Sequence, residues 1–365
     1  MISTQKFYSV LLKNKIDFMT GVPDSCLKNF LNFVDKKNIK KISAPNEGCA
    51  VSVGIGYHLK TKKIPLVYMQ NSGFGNAIDP LTSLCAKQVY SIPLFMLIGW
   101  RGSPNIKDAP QHLMVGETIL RQLKLFKIKT FVIKKDKDLK KITNLINHAK
   151  KYKVPVACLI EPKTFTKVKN RQKINRIKNL ISRPEAIEII LDSIKKKTKI
   201  VSTVGYTSRE LHQINKTKKN KFAKEFLMVG GMGHTATTSL GISCNDKDDV
   251  MCLDGDGSFL MHMGGVATAV IYSKNYKYIL FDNNSHESTG NQLTISNKLD
   301  FKKIALGFGF KKYFSLENSN NYKEKLKKYV KMRGKVFIYI KTKIGSLKTL
   351  SRPSSLQYVK KQFMK

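Results

Sequence analysis

Short apolar runs alternate with longer stretches of helical period along the whole chain. In the first half, residues 17–20, 42–44, 64–70, 92–100, 129–133 and 154–160 read as strands. Helices are predicted between them, one running to about Lys36 and another to about Leu59. The second half repeats the pattern, with strands at residues 199–203, 225–229, 250–254, 276–282 and 336–341. Strands that alternate with helices predict an α/β chain of parallel sheets covered by helices on both faces. Residues 163–183 interrupt the alternation with eight Lys or Arg and no Asp or Glu. That composition predicts a basic linker at 166–183, between a domain spanning 1–165 and another spanning 184–365.

Polar and glycine-rich clusters fall at the carboxyl ends of these strands, where open parallel sheets bind their ligands. They are Gly21-Val22-Pro23-Asp24-Ser25, Asn46-Glu47, Asn71-Ser72-Gly73, Arg101-Gly102, Thr203-Val204-Gly205 and Gly255-Asp256-Gly257-Ser258. The last is the most informative. Flanking glycines allow a sharp turn and close approach of a ligand, and Asp256 offers a hard oxygen to a small cation. Asn283 follows 27 residues later, at the end of the next apolar strand. Consecutive parallel strands usually lie side by side, so both oxygens can meet at one ion. The following helix N-terminus would favour a phosphate. Alone, Gly-Asp-Gly is also an ordinary turn. Glu47 in a first helical turn is also a favourable partner of the helix dipole, and Met232, between glycines, is also a candidate for plain core packing.

Charge and cysteine content narrow the partners. The formal net charge is +41, with lysines spread along the chain and no interleaved aromatic pattern. This reads as solvated surface that attracts an anionic substrate, not as a nucleic-acid interface. The apolar run at 92–99 is too short to span a bilayer, and residues 1–15 lack a signal-peptide pattern. The expectation is a cytoplasmic protein that binds neither membrane nor nucleic acid. Six cysteines without a Cys-x-x-Cys pair read as reduced thiols.

The Gly255-Asp256-Gly257-Ser258 turn with Asn283 resembles the cofactor motif of thiamine-diphosphate-dependent 2-oxo-acid decarboxylases. Gly21-Val22-Pro23-Asp24-Ser25, Ala44-Pro45-Asn46-Glu47-Gly48, Gly99-Trp100-Arg101-Gly102, Pro110-Gln111-His112, Ser208-Arg209-Glu210-Leu211, Met232-Gly233-His234 and His286-Glu287-Ser288-Thr289-Gly290 look like the phosphonopyruvate decarboxylase family within that group. The resemblance implies a pyrimidine-binding first domain, a diphosphate- and Mg²⁺-binding second domain, and at least a homodimer. It implies Mg²⁺ ligands Asp256, Asn283 and the Ser285 carbonyl, with Asn284 a neighbouring alternative that the spacing disfavours. It makes Glu47 the acid that protonates the aminopyrimidine ring. Thr203, Gly205, Met232, Gly233, His234, Gly255, Gly257 and Ser258 become cofactor contacts, with Met232 bending the cofactor. Asp24 and His112 become proton handlers. Arg101, Ser25, Gln111, Asn71, Ser72 and His286 become substrate contacts, with Arg101 forking onto an anion. The implied reaction converts 3-phosphonopyruvate to phosphonoacetaldehyde and CO₂ in phosphonate biosynthesis. Sulfopyruvate decarboxylase is the near alternative, mildly disfavoured because such enzymes are often split between two chains. An acetolactate-synthase-like enzyme is disfavoured by the missing middle domain.

Overall fold

The computed structural model describes residues 1–37, 39–104, 106–168, 180–195, 198–218, 223–244, 250–317 and 321–365. The chain divides into two compact units, Met1–Gln172 and Lys173–Lys365. Most of the basic segment expected as a linker, residues 169–179, lies outside the described residues. Its expected end is structured: Ile181–Ser182 form a short strand and Arg183 opens a helix.

The first unit holds β1 (Phe18–Gly21), β2 (Lys40–Ser43), β3 (Leu66–Gln70), β4 (Phe95–Gly99), β5 (Lys129–Val132) and β6 (Val156–Ile160). They pair in parallel in the order β2-β1-β3-β4-β6-β5. Helices α1 (Thr4–Lys13), α2 (Lys28–Val34), α3 (Glu47–Thr61), α4 (Phe74–Ser83), α5 (Pro110–Leu125) and α6 (Leu139–Tyr152) cover the sheet. Central strands β4 and β6 are buried at every position, as apolar runs covered on both faces should be. Edge strands β2 and β5 carry the lysines. Alternation splits the core: Leu66, Tyr68, Phe95 and Leu97 face one cluster, and Val67, Met69, Met96 and Ile98 face the other. Burial contributes about 1.5–3 kcal/mol for each such large side chain.

The second unit repeats the plan. It contains β7 (Ile181–Ser182), β8 (Lys199–Ser202), β9 (Lys224–Leu227), β10 (Val250–Gly255), β11 (Tyr276–Asp282), β12 (Ser285–His286), β13 (Gln292–Leu293), β14 (Lys312–Leu316) and β15 (Lys335–Lys343). The main sheet runs β14-β15-β11-β10-β8-β9, with β7 added on β15 and β12–β13 a separate antiparallel pair. Its helices are α7 (Arg183–Ser193), α8 (Tyr206–Thr217), α9 (Thr235–Ser243), α10 (Asp256–Met261), α11 (Met263–Tyr272), α12 (Phe301–Phe308), α13 (Tyr322–Val330) and α14 (Leu356–Met364). One face packs aliphatics such as Leu253, Ile279 and Ile338, and the other packs Phe259, Tyr278, Phe310 and Phe337. Strands β10 and β11 run in parallel with Gly255 opposite Phe281. Asp256 therefore leaves its strand beside Asp282-Asn283. Among the described residues, no helix is long and apolar enough to cross a membrane, and all six cysteines are free thiols.

Candidate active site

In the first unit, Asn46 caps α3 by accepting a hydrogen bond from the Cys49 N–H at 2.9 Å. The cap places Glu47 at the first helical position, where it is 4% exposed. Its Oε2 accepts from Asn76 Nδ2 at 2.8 Å. A side chain at Gly73 would overlap the Glu47 carboxyl, so glycine there is what admits the acid. Burial raises the Glu47 pKa against the hydrogen bond from Asn76. The dipole reading of Glu47 does not account for a carboxyl enclosed this far from water.

Asp24 follows β1 and is fully buried. Its Oδ1 accepts from the Cys26 N–H at 2.8 Å, while its Oδ2 has no hydrogen-bond partner among the described residues. Burial raises its pKa. His112 is buried in the first turn of α5. Neighbouring Gln111 has a buried Oε1 without a partner among the described residues.

Arg101 differs from expectation. Its Nε and Nη2 already fork onto both oxygens of Asp108, the Nε at 2.6 Å. The Gly102 and Ala109 N–H groups bond the same carboxylate at 3.0 and 2.7 Å. Burial opposes the charge on Asp108, yet these donors hold its pKa well below the usual range. The bidentate edge expected to grip a substrate anion is thus closed, and Nη1, 3.0 Å from Ser25 Oγ, is the edge that remains. Asn71 also differs. It is buried, with its amide bonded to the Arg101 carbonyl at 2.8 Å and to the Arg101 N–H at 3.1 Å. It holds the Arg101 loop in place. Ser72 is exposed and accepts from Gln70.

The second unit gathers nearly all of its expected residues. Thr203 lies beside Gly255, and Gly205, at φ +86°, faces Ser288. The Gly233 N–H donates to Ser258 Oγ at 3.0 Å. A Cβ on Gly257 would meet His286 Cε1 at 2.8 Å and Met232 Cε at 3.2 Å, so this turn has space for a backbone contact only. His286 therefore packs on the Gly-Asp-Gly turn; burial lowers its pKa to about 4. His234 is exposed and stacks on His262 at 4.7 Å. Asp256 is buried, and burial followed by the charge of Asp282 raises its pKa to about 7. Thr294 Oγ1 donates to Asp256 Oδ2 and lies 3.3 Å from Asn284 Oδ1. Asn283 Oδ1 accepts from the Ser285 N–H at 3.1 Å. Buried Ser285 Oγ has no partner among the described residues. Helix α10 has only six residues, so the phosphate attraction expected of its dipole is small.

Several neighbours were not singled out from the sequence: Asp108, Thr294, and the buried Asp282, whose Oδ2 accepts from Tyr339 Oη at 2.6 Å and Lys341 Nζ at 2.8 Å. Asp108 and Thr294 sit in loops with no period by which to find them, and Asp282 closes an otherwise apolar strand. The donors at the β10 and β11 ends are a carboxylate, side-chain amides and main-chain carbonyls. These hard oxygens suit Mg²⁺ completed by phosphate oxygens. The Ser285 hydroxyl, buried and unpartnered among the described residues, fits a bound diphosphate group.

Two family profiles match the chain. "Thiamine pyrophosphate enzyme, N-terminal TPP binding domain" covers residues 3–125, and "Thiamine pyrophosphate enzyme, C-terminal TPP binding domain" covers residues 203–340. The chain belongs to the thiamine-pyrophosphate-dependent enzymes, with both binding domains on one polypeptide. Among curated proteins it is 28% identical to a phosphonopyruvate decarboxylase of Streptomyces hygroscopicus, over 97% of this chain and 90% of that one. It is 25% identical to a sulfopyruvate decarboxylase of Methanosarcina acetivorans, over 98% and 96%. It is 32% identical to the sulfopyruvate decarboxylase subunit beta of Methanothermobacter thermautotrophicus, over 46% and 85%.

Proposed function

We propose that this protein decarboxylates 3-phosphonopyruvate to phosphonoacetaldehyde and CO₂ in phosphonate biosynthesis, with thiamine diphosphate and Mg²⁺, as a cytoplasmic homodimer or larger homo-oligomer. The chain is a carboxy-lyase of the thiamine-pyrophosphate family. The observation that carries the substrate is the near end-to-end similarity to a phosphonopyruvate decarboxylase. Sulfopyruvate is the second reading. The fused chain does not argue against it, because the Methanosarcina sulfopyruvate decarboxylase matches along 96% of its own length.

Asp256, Asn283 Oδ1 and the Ser285 carbonyl would hold Mg²⁺ against the diphosphate, and Met232 and the Gly257 turn would contact the cofactor. When bound, the cofactor supplies the carbon nucleophile and the electron sink that let CO₂ leave. Glu47, whose protonated form burial favours, would hold a proton at the aminopyrimidine ring. The bond to the carboxylate carbon breaks, its electron pair stays on the former carbonyl carbon, and a proton replaces CO₂ there. Asp24 suits that delivery, since burial raises its pKa and leaves Oδ2 unpartnered among the described residues. His112 is the second proton handler, and Gln111 lies beside it in sequence.

The substrate's second anion stays charged throughout, so a fixed donor set should grip it more than the departing carboxylate. We assign that grip to Arg101 Nη1 with Ser25 Oγ, oriented by Asp108. Lysine cannot bind Asp108 and reach Ser25 at once. For Arg101→Lys, kcat/KM on phosphonopyruvate should fall about 10-fold more than on pyruvate, which lacks the second anion. Steady-state kinetics on both substrates tests this, and equal proportional losses would assign Arg101 to the fold.

A further inference from the structure

A buried ion-pair network beside the candidate cation site has no part in the reaction as derived above. Arg183 is 5% exposed and Glu210 fully buried. The Arg183 Nε and Nη2 donate to the two Glu210 oxygens at 2.6 and 3.3 Å. Its Nη1 donates to Glu287 Oε2 at 3.1 Å. Glu287 Oε1 accepts from the Gly345 N–H at 2.9 Å, and Arg183 Nη2 reaches the Gly345 carbonyl at 3.4 Å. The network ends on the metal side, where Asn283 Nδ2 donates to the same Glu287 Oε2 at 3.0 Å.

Buried ion pairs of this kind are poor stabilisers compared with apolar packing of the same volume. Glu287 has a more specific consequence. The two ends of an asparagine amide have nearly the same shape and opposite roles: oxygen accepts, and NH₂ donates. An ionised carboxylate only accepts, so Glu287 tolerates Nδ2 and rejects Oδ1. Turned that way, Asn283 presents Oδ1 on its other side. The Ser285 N–H takes one lone pair of that oxygen at 3.1 Å, and the second remains for a cation. Without Glu287, only the Ser285 N–H opposes the flipped amide, which would aim N–H groups at the ion. We infer that Glu287, clamped by Arg183 and the Gly345 turn, is the positioning residue that keeps the Asn283 oxygen toward the metal. This rests on the Mg²⁺ site proposed above.

The test is calorimetric titration of MgCl₂ into protein saturated with thiamine diphosphate. Glu287→Gln has an amide that offers Asn283 either end, and Glu287→Asp keeps the charge on Arg183 but withdraws it from Asn283. Each should weaken Mg²⁺ binding about 10- to 100-fold, the usual loss for an outer partner of a metal ligand. If Glu287→Gln does not fold, Glu287→Asp carries the same measurement. In an Asn283→Ala background the Glu287 substitution should add almost nothing, because the amide it orients is gone. An equal loss in both backgrounds would make Glu287 a structural residue and overturn the inference, as would wild-type Mg²⁺ affinity in both Glu287 variants. Wild-type affinity in Asn283→Ala alone would instead overturn the metal-site reading beneath it.

Discussion

Glu47→Gln is expected to retain the fold and most cofactor affinity while losing about 10²- to 10⁴-fold in kcat, the range for a positioned acid–base group. The substitution preserves shape and the contact with Asn76 but removes the proton that a carboxyl exchanges. It leaves the residues at the β10–β11 end of the second unit untouched. Burial raises the folded-state pKa of Glu47. A carboxyl with a raised folded pKa stabilises most at low pH, and that contribution is lost as pH rises through the folded value. At neutral pH the neutral glutamine should therefore melt at the same temperature as wild type or higher. Deuterium exchange at the thiazolium carbon, followed by quenched NMR, should slow in parallel with kcat. Unchanged exchange would remove Glu47 from activation, and a large fall in melting temperature would point to a packing role.

The second large effect is on binding. Asp256→Ala should weaken Mg²⁺-dependent binding of thiamine diphosphate by about 100-fold or more, at least the upper range seen for outer partners of metal ligands. Asp256 is buried, and its charge is opposed by burial and by Asp282. Without the ion, alanine relieves that repulsion, so the variant should not be destabilised in the absence of ligands. Calorimetry with and without Mg²⁺ measures both quantities. Wild-type affinity would move the metal site away from the Gly255-Asp256-Gly257 turn.

The parts of this site that were legible in the sequence are those set by strand geometry. Val250–Gly255 and Tyr276–Asp282 are nearly continuous apolar runs, and parallel pairing aligns their carboxyl ends. A spacing of 27 residues therefore brings Asp256 and Asn283 to the same edge. Glu47 was legible because a strand, an Asn cap and a helix follow one another directly. What escaped was partnership. Arg101 was readable as a cation at a strand end, but its partner Asp108 sits in a loop with no periodicity, and only the folded loop shows that the guanidinium fork is taken. Arg183 was grouped with a run of basic residues by composition. Its burial depends on Glu210 and Glu287, 27 and 104 residues away. The strand Lys312–Leu316 was missed because this edge strand breaks its short apolar run with lysine and serine.

The most direct test is release of aldehyde and CO₂ by the purified chain from 3-phosphonopyruvate and 3-sulfopyruvate, with thiamine diphosphate and Mg²⁺ present or withheld. The account predicts phosphonoacetaldehyde formed only with both cofactors, and kcat/KM for phosphonopyruvate about 10-fold or more above that for sulfopyruvate. Preference for sulfopyruvate, or release independent of thiamine diphosphate, would contradict it.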